Sequence, residues 1–185
     1  MTLSWPQHPI TLEDWEALPE DSANKLEVAE GMLVMSPRPL FRHQRAGMRL
    51  GTRFDEQLPQ ELTGLTDVEV VIAYEPLTIR APDVIVTRTE LYEDDPARCE
   101  AADVLLAVEI LSVGTRRVDR VLKFSEYAEA GIPQYWIVDL DDPTSLLAYV
   151  LVDGTYELSG EHTDAAALDV AGHPVSVDLP ALTRR

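Results

Sequence analysis

Two carboxylates stand at the ends of strongly apolar segments, where a charged group is costly unless it is paired or binds a metal. Asp83 follows Pro82 and precedes the apolar run 84–86, and Glu109 ends an uncharged stretch that begins after Asp103. Carboxylates at the ends of neighbouring strands can converge on one divalent cation, and oxygen ligands suit Mg²⁺. The alternative is that each acid only accepts hydrogen bonds from backbone N–H groups at a strand end or turn.

Lys123 is a candidate cation for the same site. It lies on a helix predicted over 117–130, directly after the strand that carries Glu109, so its long side chain can reach back to the end of that strand. An ammonium group there would hold a nucleophilic water or stabilise negative charge on a phosphate. The ordinary alternative is an exposed ion pair with Asp119, four residues earlier.

Positive charge is concentrated in two segments of a chain that has 15 basic and 33 acidic residues and a formal net charge of −18. Segment 38–53 contains five arginines and no acid, and segment 116–123 contains three arginines, Lys123 and one aspartate. An anionic ligand is therefore expected to bind at these segments. The residues predicted to contact nucleic acid are Arg42, His43, Arg45, Arg49, Arg116, Arg117 and Arg120.

The arginines of the first segment recur at helical spacing within a helix predicted over 40–58, so positions 42, 45, 49 and 53 share one face. Such a stripe can lie along a DNA backbone through charge alone. It can also be a solvated face that pairs with the many acids of the chain. His43 can likewise contact phosphate or approach the active site, or it can be a solvated or capping side chain.

Strands and helices alternate along the chain. A short helix capped by Thr11 is expected, an acid-rich loop is expected over 90–100, and the tail 173–185 is expected to add an edge strand. Strand-like segments occupy 25–28, 32–35, 68–73, 83–87, 103–111 and 132–140, and a hairpin joins 146–152 to 155–158. This order predicts an α/β fold with a mixed central β-sheet flanked by helices, and with N-terminal and C-terminal β-hairpins.

The composition, 45% hydrophobic and 26% charged, is that of an ordinary soluble globular protein. One domain over residues 1–185 is expected, with its core at about 24–160. Neither a secretion signal nor an apolar run of the roughly 20 residues needed to span a membrane is evident. Because Cys99 is the only cysteine, no internal disulfide can form, and a cytoplasmic setting is expected.

Several blocks of the sequence resemble the Uma-two family of restriction-endonuclease-like proteins, which belongs to the PD-(D/E)XK nuclease superfamily. The blocks are Pro82-Asp83, 109–112, 115–124 and 127–139, with further likeness at 26–31, 36–37 and His43. The likeness extends over nearly the whole chain, and 107–139 is its most specific part.

The resemblance implies a restriction-endonuclease-like core and hydrolysis of phosphodiester bonds that depends on Mg²⁺ or Mn²⁺. It makes Asp83 and Glu109 metal ligands, with the backbone carbonyl of Ile110 as a further ligand. It also gives Glu27, on the first hairpin, the place of the extra acid often found near the metal.

One departure from the superfamily pattern affects the expected activity. The superfamily lysine normally follows the second acid by two residues, where this chain has Leu111. The resemblance suggests that the lysine has moved to Lys123 on the following helix. If Lys123 cannot reach the metal, we expect an inactive site.

The predicted function is therefore a metal-dependent endonuclease that acts on DNA. A homodimer is expected, because cleavage of both strands of a duplex needs two sites. The alternative is a catalytically decayed nuclease-fold module that acts in binding or protein interaction, which the net charge and Leu111 favour. Hydrolysis of another phosphodiester is a third possibility, since the same metal chemistry serves small substrates.

Overall fold

A computed structural model describes residues 8–19, 21, 23–111 and 121–184. The α-helices in these ranges are α1 (Leu12–Glu16), α2 (Phe41–Gln57), α3 (Thr89–Asp94) and α4 (Lys123–Glu129). The strands are β1 (Asn24–Ala29), β2 (Met32–Pro37), β3 (Leu62–Thr66), β4 (Val70–Tyr74), β5 (Leu77–Arg80), β6 (Val84–Arg88), β7 (Cys99–Glu100), β8 (Leu106–Leu111), β9 (Gln134–Asp139), β10 (Ser145–Val152), β11 (Thr155–His162), β12 (Ala165–Val170) and β13 (His173–Asp178). Within the described ranges, no helix combines the length and the apolar character needed to cross a membrane.

A mixed sheet of six strands, in the order β11-β10-β9-β8-β6-β3, contains most of the core. β8 and β9 run parallel, whereas β6 runs antiparallel to β8, with Val84 opposite Val108. Every residue of β8 is buried, which explains why this central strand is a nearly continuous apolar run. Because β6 begins where β8 ends, Asp83 comes to lie beside the last residues of β8.

The six-stranded sheet is covered on both faces. On one face, Leu50 and Phe54 of α2 pack with Val108 of β8, and the hairpin β12–β13 packs on the same side. On the other face, Tyr127 of α4 packs with Ala107 of β8. Successive side chains of a strand point to opposite faces. Glu109 therefore points towards α4, two residues along from Ala107.

A second sheet of five strands has the order β2-β1-β5-β4-β7. The turn of its β1–β2 hairpin consists of Glu30 and Gly31, whose φ angles of 48° and 74° are those of a two-residue turn with left-handed backbone. β1 also pairs with β5, and the chain passes from β5 into β6 of the six-stranded sheet through residues 81–83. The two sheets therefore meet near Asp83.

The structure confirms the predicted mixed sheet flanked by helices, the hairpin of β1 and β2, and the long helix α2. It also confirms the cap of α1, where the Thr11 hydroxyl accepts a hydrogen bond from the backbone N–H of Asp14. β3, β5 and β12 were not expected from the sequence.

Two expectations were wrong. Residues 90–100 are not a continuous loop, because Leu91 packs against the core and anchors α3, and β7 pairs with β4. The tail strand β13 does not join the central sheet. It pairs with β12 through a turn at Ala171 and Gly172, whose φ angles of 50° and 86° favour a tight hairpin.

Candidate active site

Both oxygens of the Asp83 carboxylate have partners. Oδ2 accepts a hydrogen bond of 2.7 Å from the backbone N–H of Ile110 and lies 3.2 Å from Nε2 of His43, and Oδ1 lies 3.3 Å from Nζ of Lys25. Burial alone would raise the pKa of Asp83, but the hydrogen bond to His43 and the charges of Lys25 and His43 outweigh burial and bring the pKa to about 2. Asp83 is therefore a permanent anion at neutral pH.

His43, in the first turn of α2, joins Asp83 to the end of β8. Its Nε2 lies 2.8 Å from the carbonyl oxygen of Ile110 as well as 3.2 Å from Oδ2 of Asp83. Burial lowers the pKa of His43, but the hydrogen bond to Asp83 and its charge reverse that effect and raise it above its ordinary value. The Asp83 oxygen and the Ile110 carbonyl thus face the same point.

Glu109 is buried and is held by two residues of α4. Oε1 of Glu109 accepts hydrogen bonds from Nζ of Lys123 at 2.9 Å and from the hydroxyl of Tyr127 at 2.7 Å. Lys123 and Tyr127 are four residues apart, so they lie on the same face of α4. Burial raises the pKa of Tyr127 well above its ordinary value, so the phenol remains a neutral donor. The predicted reach of Lys123 to the Glu109 strand is present in the structure.

Glu27 shares Lys123 with Glu109. Its Oε1 lies 3.1 Å from Nζ of Lys123 and accepts a 3.1 Å hydrogen bond from the backbone N–H of Ala81. Its Oε2 lies 3.2 Å from Arg80, whose guanidinium donates two further 2.7 Å hydrogen bonds to Glu126. Burial alone would raise the pKa of Glu27, but the charges of Lys123 and Arg80 lower it. A buried ionic network therefore joins β1, β5 and α4.

Lys25 is a site residue that the sequence analysis missed. It precedes Glu27 by two residues on β1, so both side chains point to the same face. Its Nζ lies 3.3 Å from Oδ1 of Asp83. Burial lowers the pKa of Lys25, but the charges of Asp83 and Glu109 outweigh burial and raise it. Lys25 and Lys123 are the only two lysines of the chain. The spacing to Glu27 was the signal that could have identified Lys25.

Arg80, Glu126 and Tyr127 were also missed. Arg80 is an arginine at the end of an apolar strand and is only 1% exposed. Glu126 and Tyr127 follow Lys123 by three and four residues, so helical spacing alone places them near it. None of the three belongs to a sequence motif that indicates catalysis. In the structure they hold charged groups in place.

The arginine stripe of α2 has partners within the chain. Guanidinium groups of three of its members donate to backbone carbonyls, Arg42 to Leu140, Arg45 to Arg184 and Arg49 to Ala181. Leu140 directly follows β9, next to the end of β8, so Arg42 lies at the same end of the sheet as the site. The predicted contacts Arg116, Arg117 and Arg120 lie outside the described residues.

The structure thus brings together the predicted residues Asp83, Glu109, Ile110, Glu27, Lys123 and His43, and adds Lys25. Their catalytic roles remain predictions. Among residues 8–19, 21, 23–111 and 121–184, no three His, Cys, Asp or Glu side chains form a ready metal cluster.

The donor set nevertheless suits a hard cation if the backbone is included. Asp83 and Glu109 supply carboxylates, and the carbonyl of Ile110 lies, like Oδ2 of Asp83, beside Nε2 of His43. Mg²⁺ typically takes one or two carboxylates and keeps several waters, so a complete cage of side chains is not required.

Comparison with known proteins agrees with the sequence resemblance. Residues 12–181 match the family model Uma2, described as "Putative restriction endonuclease". None of the curated proteins matches the chain.

The fold is similar to a crystal structure described as "a putative nuclease belonging to DUF820" from Anabaena variabilis, with a TM-score of 0.69. The two sequences are 20% identical, and the similarity covers 95% of this chain and 98% of the other. At this identity the likeness concerns the fold alone, a mixed α/β architecture consistent with the expected restriction-endonuclease-like core.

Proposed function

This chain belongs to the Uma2 family, and from this premise we propose that it is a metal-dependent nuclease that hydrolyses phosphodiester bonds in DNA. The observation that carries the proposal is the meeting of Asp83 with the end of β8. Asp83 accepts a 2.7 Å hydrogen bond from Ile110, the residue next to Glu109. The carboxylate of Asp83, 10% exposed, is thereby held at the end of the strand that carries the buried Glu109, with basic side chains around both.

Asp83, Glu109 and the carbonyl of Ile110 are the groups that would hold Mg²⁺ or Mn²⁺. When bound, such a cation supplies Lewis-acid activation of a phosphodiester and of water. Asp83 is suited to this role because its pKa of about 2 keeps it charged. Glu109 is suited because Lys123 and Tyr127 fix the position of Oε1.

The two lysines supply positive charge beside the acids. Lys25 lies beside Asp83, and Lys123 lies between Glu109 and Glu27. An ammonium group held at this position stabilises negative charge that develops on a phosphate during hydrolysis. Lys123 therefore takes over the part of the lysine that is missing at position 111.

DNA as substrate is supported by the arginines of α2 and by the family description. The positive charge of these arginines suits contacts to the phosphates, which do not depend on the base sequence. A homodimer, with one site for each strand, completes the proposal for a duplex substrate. The single, buried Cys99 suits a reducing compartment such as the cytoplasm.

The test is cleavage of plasmid DNA by the purified protein with Mg²⁺ or Mn²⁺. We expect cleavage that EDTA abolishes and that falls to background in Asp83→Ala and in Glu109→Ala. Asp94→Ala, which removes an exposed acid of α3, is the matched control and should cleave as the wild type does. Unchanged cleavage by both site variants would rule out this mechanism.

A non-catalytic binding role is the second candidate, and two observations favour it. Each of the three acids already contacts a lysine or arginine, and Leu111 stands where the superfamily has its lysine. This role predicts no cleavage and no rise in melting temperature with Mg²⁺ or Mn²⁺. The nuclease function predicts a rise in melting temperature that is lost in Glu109→Ala, because a metal ion that binds only the folded state stabilises that state.

A further inference from the structure

A cavity of about 480 Å³ opens beside the candidate active site. Its lining includes Trp15, Asn24, Lys25, Arg38, Asp67 and Arg98. The volume is within the roughly 300–1,000 Å³ that is usual for small-molecule sites. Lys25 connects the cavity to the acids, because it is a lining residue and its Nζ lies 3.3 Å from Oδ1 of Asp83.

Lys123 is placed differently from Lys25. It is 4% exposed, its Nζ lies within 3.1 Å of both Glu109 and Glu27, and it is not one of the described residues that line the cavity. Of the two lysines, Lys25 is therefore the one whose ammonium a ligand in the cavity can reach.

The carboxylate of Asp67 lies between two cations, in a position where a phosphate group could bind. Its Oδ1 lies 3.4 Å from Nζ of Lys25, and its Oδ2 lies 3.8 Å from a guanidinium nitrogen of Arg38. The Asp67 side chain is 55% exposed, so the carboxylate can turn away into water at little cost. Lysine and arginine together are common phosphate-binding groups. The Asp67 carboxylate thus occupies a ready anion position.

Two other lining residues, Trp15 and Arg98, offer groups for a nucleoside. Trp15 presents an indole whose Nε1 is already bonded to Glu69 at 3.0 Å. The Nε of Arg98 is buried and has no hydrogen-bond acceptor among the described residues, although Glu69 lies 3.5 Å away. A buried donor without an acceptor is unusual in a folded protein. Trp15 is only 8% exposed, but it lines the cavity. An aromatic ring in the cavity wall beside an unsatisfied donor suits a nucleobase, which can pack against the ring and accept a hydrogen bond.

We propose that this cavity binds one nucleotide of the substrate, with a phosphate on Lys25 and Arg38 in the position that Asp67 now occupies. The proposal rests on the nuclease function above and assigns the phosphate contact to Lys25. It also gives Asp67 a defined effect, which is to compete with the substrate for the two cations.

The binding test uses thymidine 3′,5′-bisphosphate, titrated by calorimetry in buffer with EDTA so that no metal contributes. We expect Lys25→Met to weaken binding by about tenfold or more, as for the loss of one charge-assisted contact. Asp67→Asn should strengthen binding severalfold, because it removes the competing carboxylate. Arg88→Met removes an exposed arginine at the opposite end of β6 and should bind as the wild type does.

Further variants and a second ligand make the outcome decisive. Lys25→Arg keeps the charge and should retain most of the affinity, which separates the charge from any effect on folding. Equal affinity in Lys25→Met and Arg88→Met, or weaker binding in Asp67→Asn, would overturn the proposal. Inorganic phosphate should bind more weakly than the bisphosphate, and equal affinity would overturn the nucleoside part.

Plasmid cleavage separates this inference from the proposed function. Cleavage by the wild type together with an unchanged rate in Lys25→Met would refute the cavity and leave the nuclease intact. Binding of the bisphosphate through Lys25 without any cleavage would support the cavity and refute the nuclease.

Discussion

The carboxylate of Asp83 accepts a hydrogen bond from the backbone N–H of Ile110 at 2.7 Å. This contact joins the residue before β6 to the end of β8, which is the antiparallel neighbour of β6. It is possible because Val84 pairs with Val108 in antiparallel register, so the start of β6 lies beside the end of β8. The contact therefore ties the charge of Asp83 to the same backbone that positions Glu109.

We predict that Asp83→Asn reduces stability at neutral pH but not in strong acid. The folded pKa of Asp83, about 2, is below its ordinary value of 3.8. The carboxylate therefore stabilises the fold above pH 3.8, and this contribution is lost as the pH falls through about 2. Its size is on the order of 2 kcal/mol.

Urea unfolding in EDTA, compared at neutral and acidic pH, measures this contribution. Asp94→Asn, on the exposed surface of α3, is the control and should leave the profile unchanged. An Asp83→Asn variant that is as stable as the wild type at neutral pH would contradict the prediction.

We predict that Tyr127→Phe weakens metal binding. The hydroxyl donates a 2.7 Å hydrogen bond to Oε1 of Glu109, which it helps to orient. Loss of such a supporting bond typically costs about 10–100-fold in metal affinity or activity. It should also reduce stability by about 1–3 kcal/mol, because a buried carboxylate loses a donor. Calorimetric titration with Mn²⁺ measures the affinity directly.

Tyr156→Phe is the matched control for this effect. The Tyr156 hydroxyl is also buried and donates a 2.8 Å hydrogen bond, but to the backbone carbonyl of Ile132. We expect it to lower stability without changing the affinity for Mn²⁺. Equal Mn²⁺ affinities in Tyr127→Phe and Tyr156→Phe would show that Tyr127 has a structural role only.

The fold and the two acids could be predicted from sequence because they leave strong local signals. A continuous apolar run indicates a buried strand such as β8, and a charged residue within it, such as Glu109, stands out. The turn at Asp153 and Gly154 marked the β10–β11 hairpin for the same reason, since positive φ angles favour such residues.

Other parts left no such signal, because long-range pairing determines them. β5 has only four residues and is a strand because β1 and β4 pair with it on both sides. Lys25 looked like an ordinary strand lysine, and its importance comes from Asp83, 58 residues later in the sequence. Nothing in the local sequence indicates that Arg80 is buried.

We predict that Arg80→Met destabilises the fold strongly. Arg80 is 1% exposed and contacts Glu27 and Glu126. Its loss removes the guanidinium that Glu126 binds and one of the two cations beside Glu27, the other being Lys123. Removal of one partner of a buried ionic pair typically costs about 3–5 kcal/mol. Urea unfolding measures the loss, and addition of Glu126→Gln should recover part of it by removing one of the unpaired charges.

Arg98→Met is the control for Arg80→Met. Arg98 pairs with Glu16 and Glu69 nearer the surface, and exposed pairs contribute about 0–1 kcal/mol. Equal losses in the two variants would mean that burial of the Arg80 network contributes nothing beyond a surface pair.

We predict that the double variant Arg42→Ala and Arg45→Ala reduces the salt dependence of DNA binding. Both residues are exposed, and each guanidinium that contacts a phosphate contributes about 0.9 to the slope of log affinity against log salt. The slope should therefore become shallower by about 2. Fluorescence anisotropy of a labelled duplex, titrated at several salt concentrations in EDTA, gives this slope. Arg88→Ala, outside the stripe, should leave it unchanged. A double variant with the wild-type slope would show that the stripe is a solvated helix face, whose contacts to Leu140 and Arg184 only fix α2 in place.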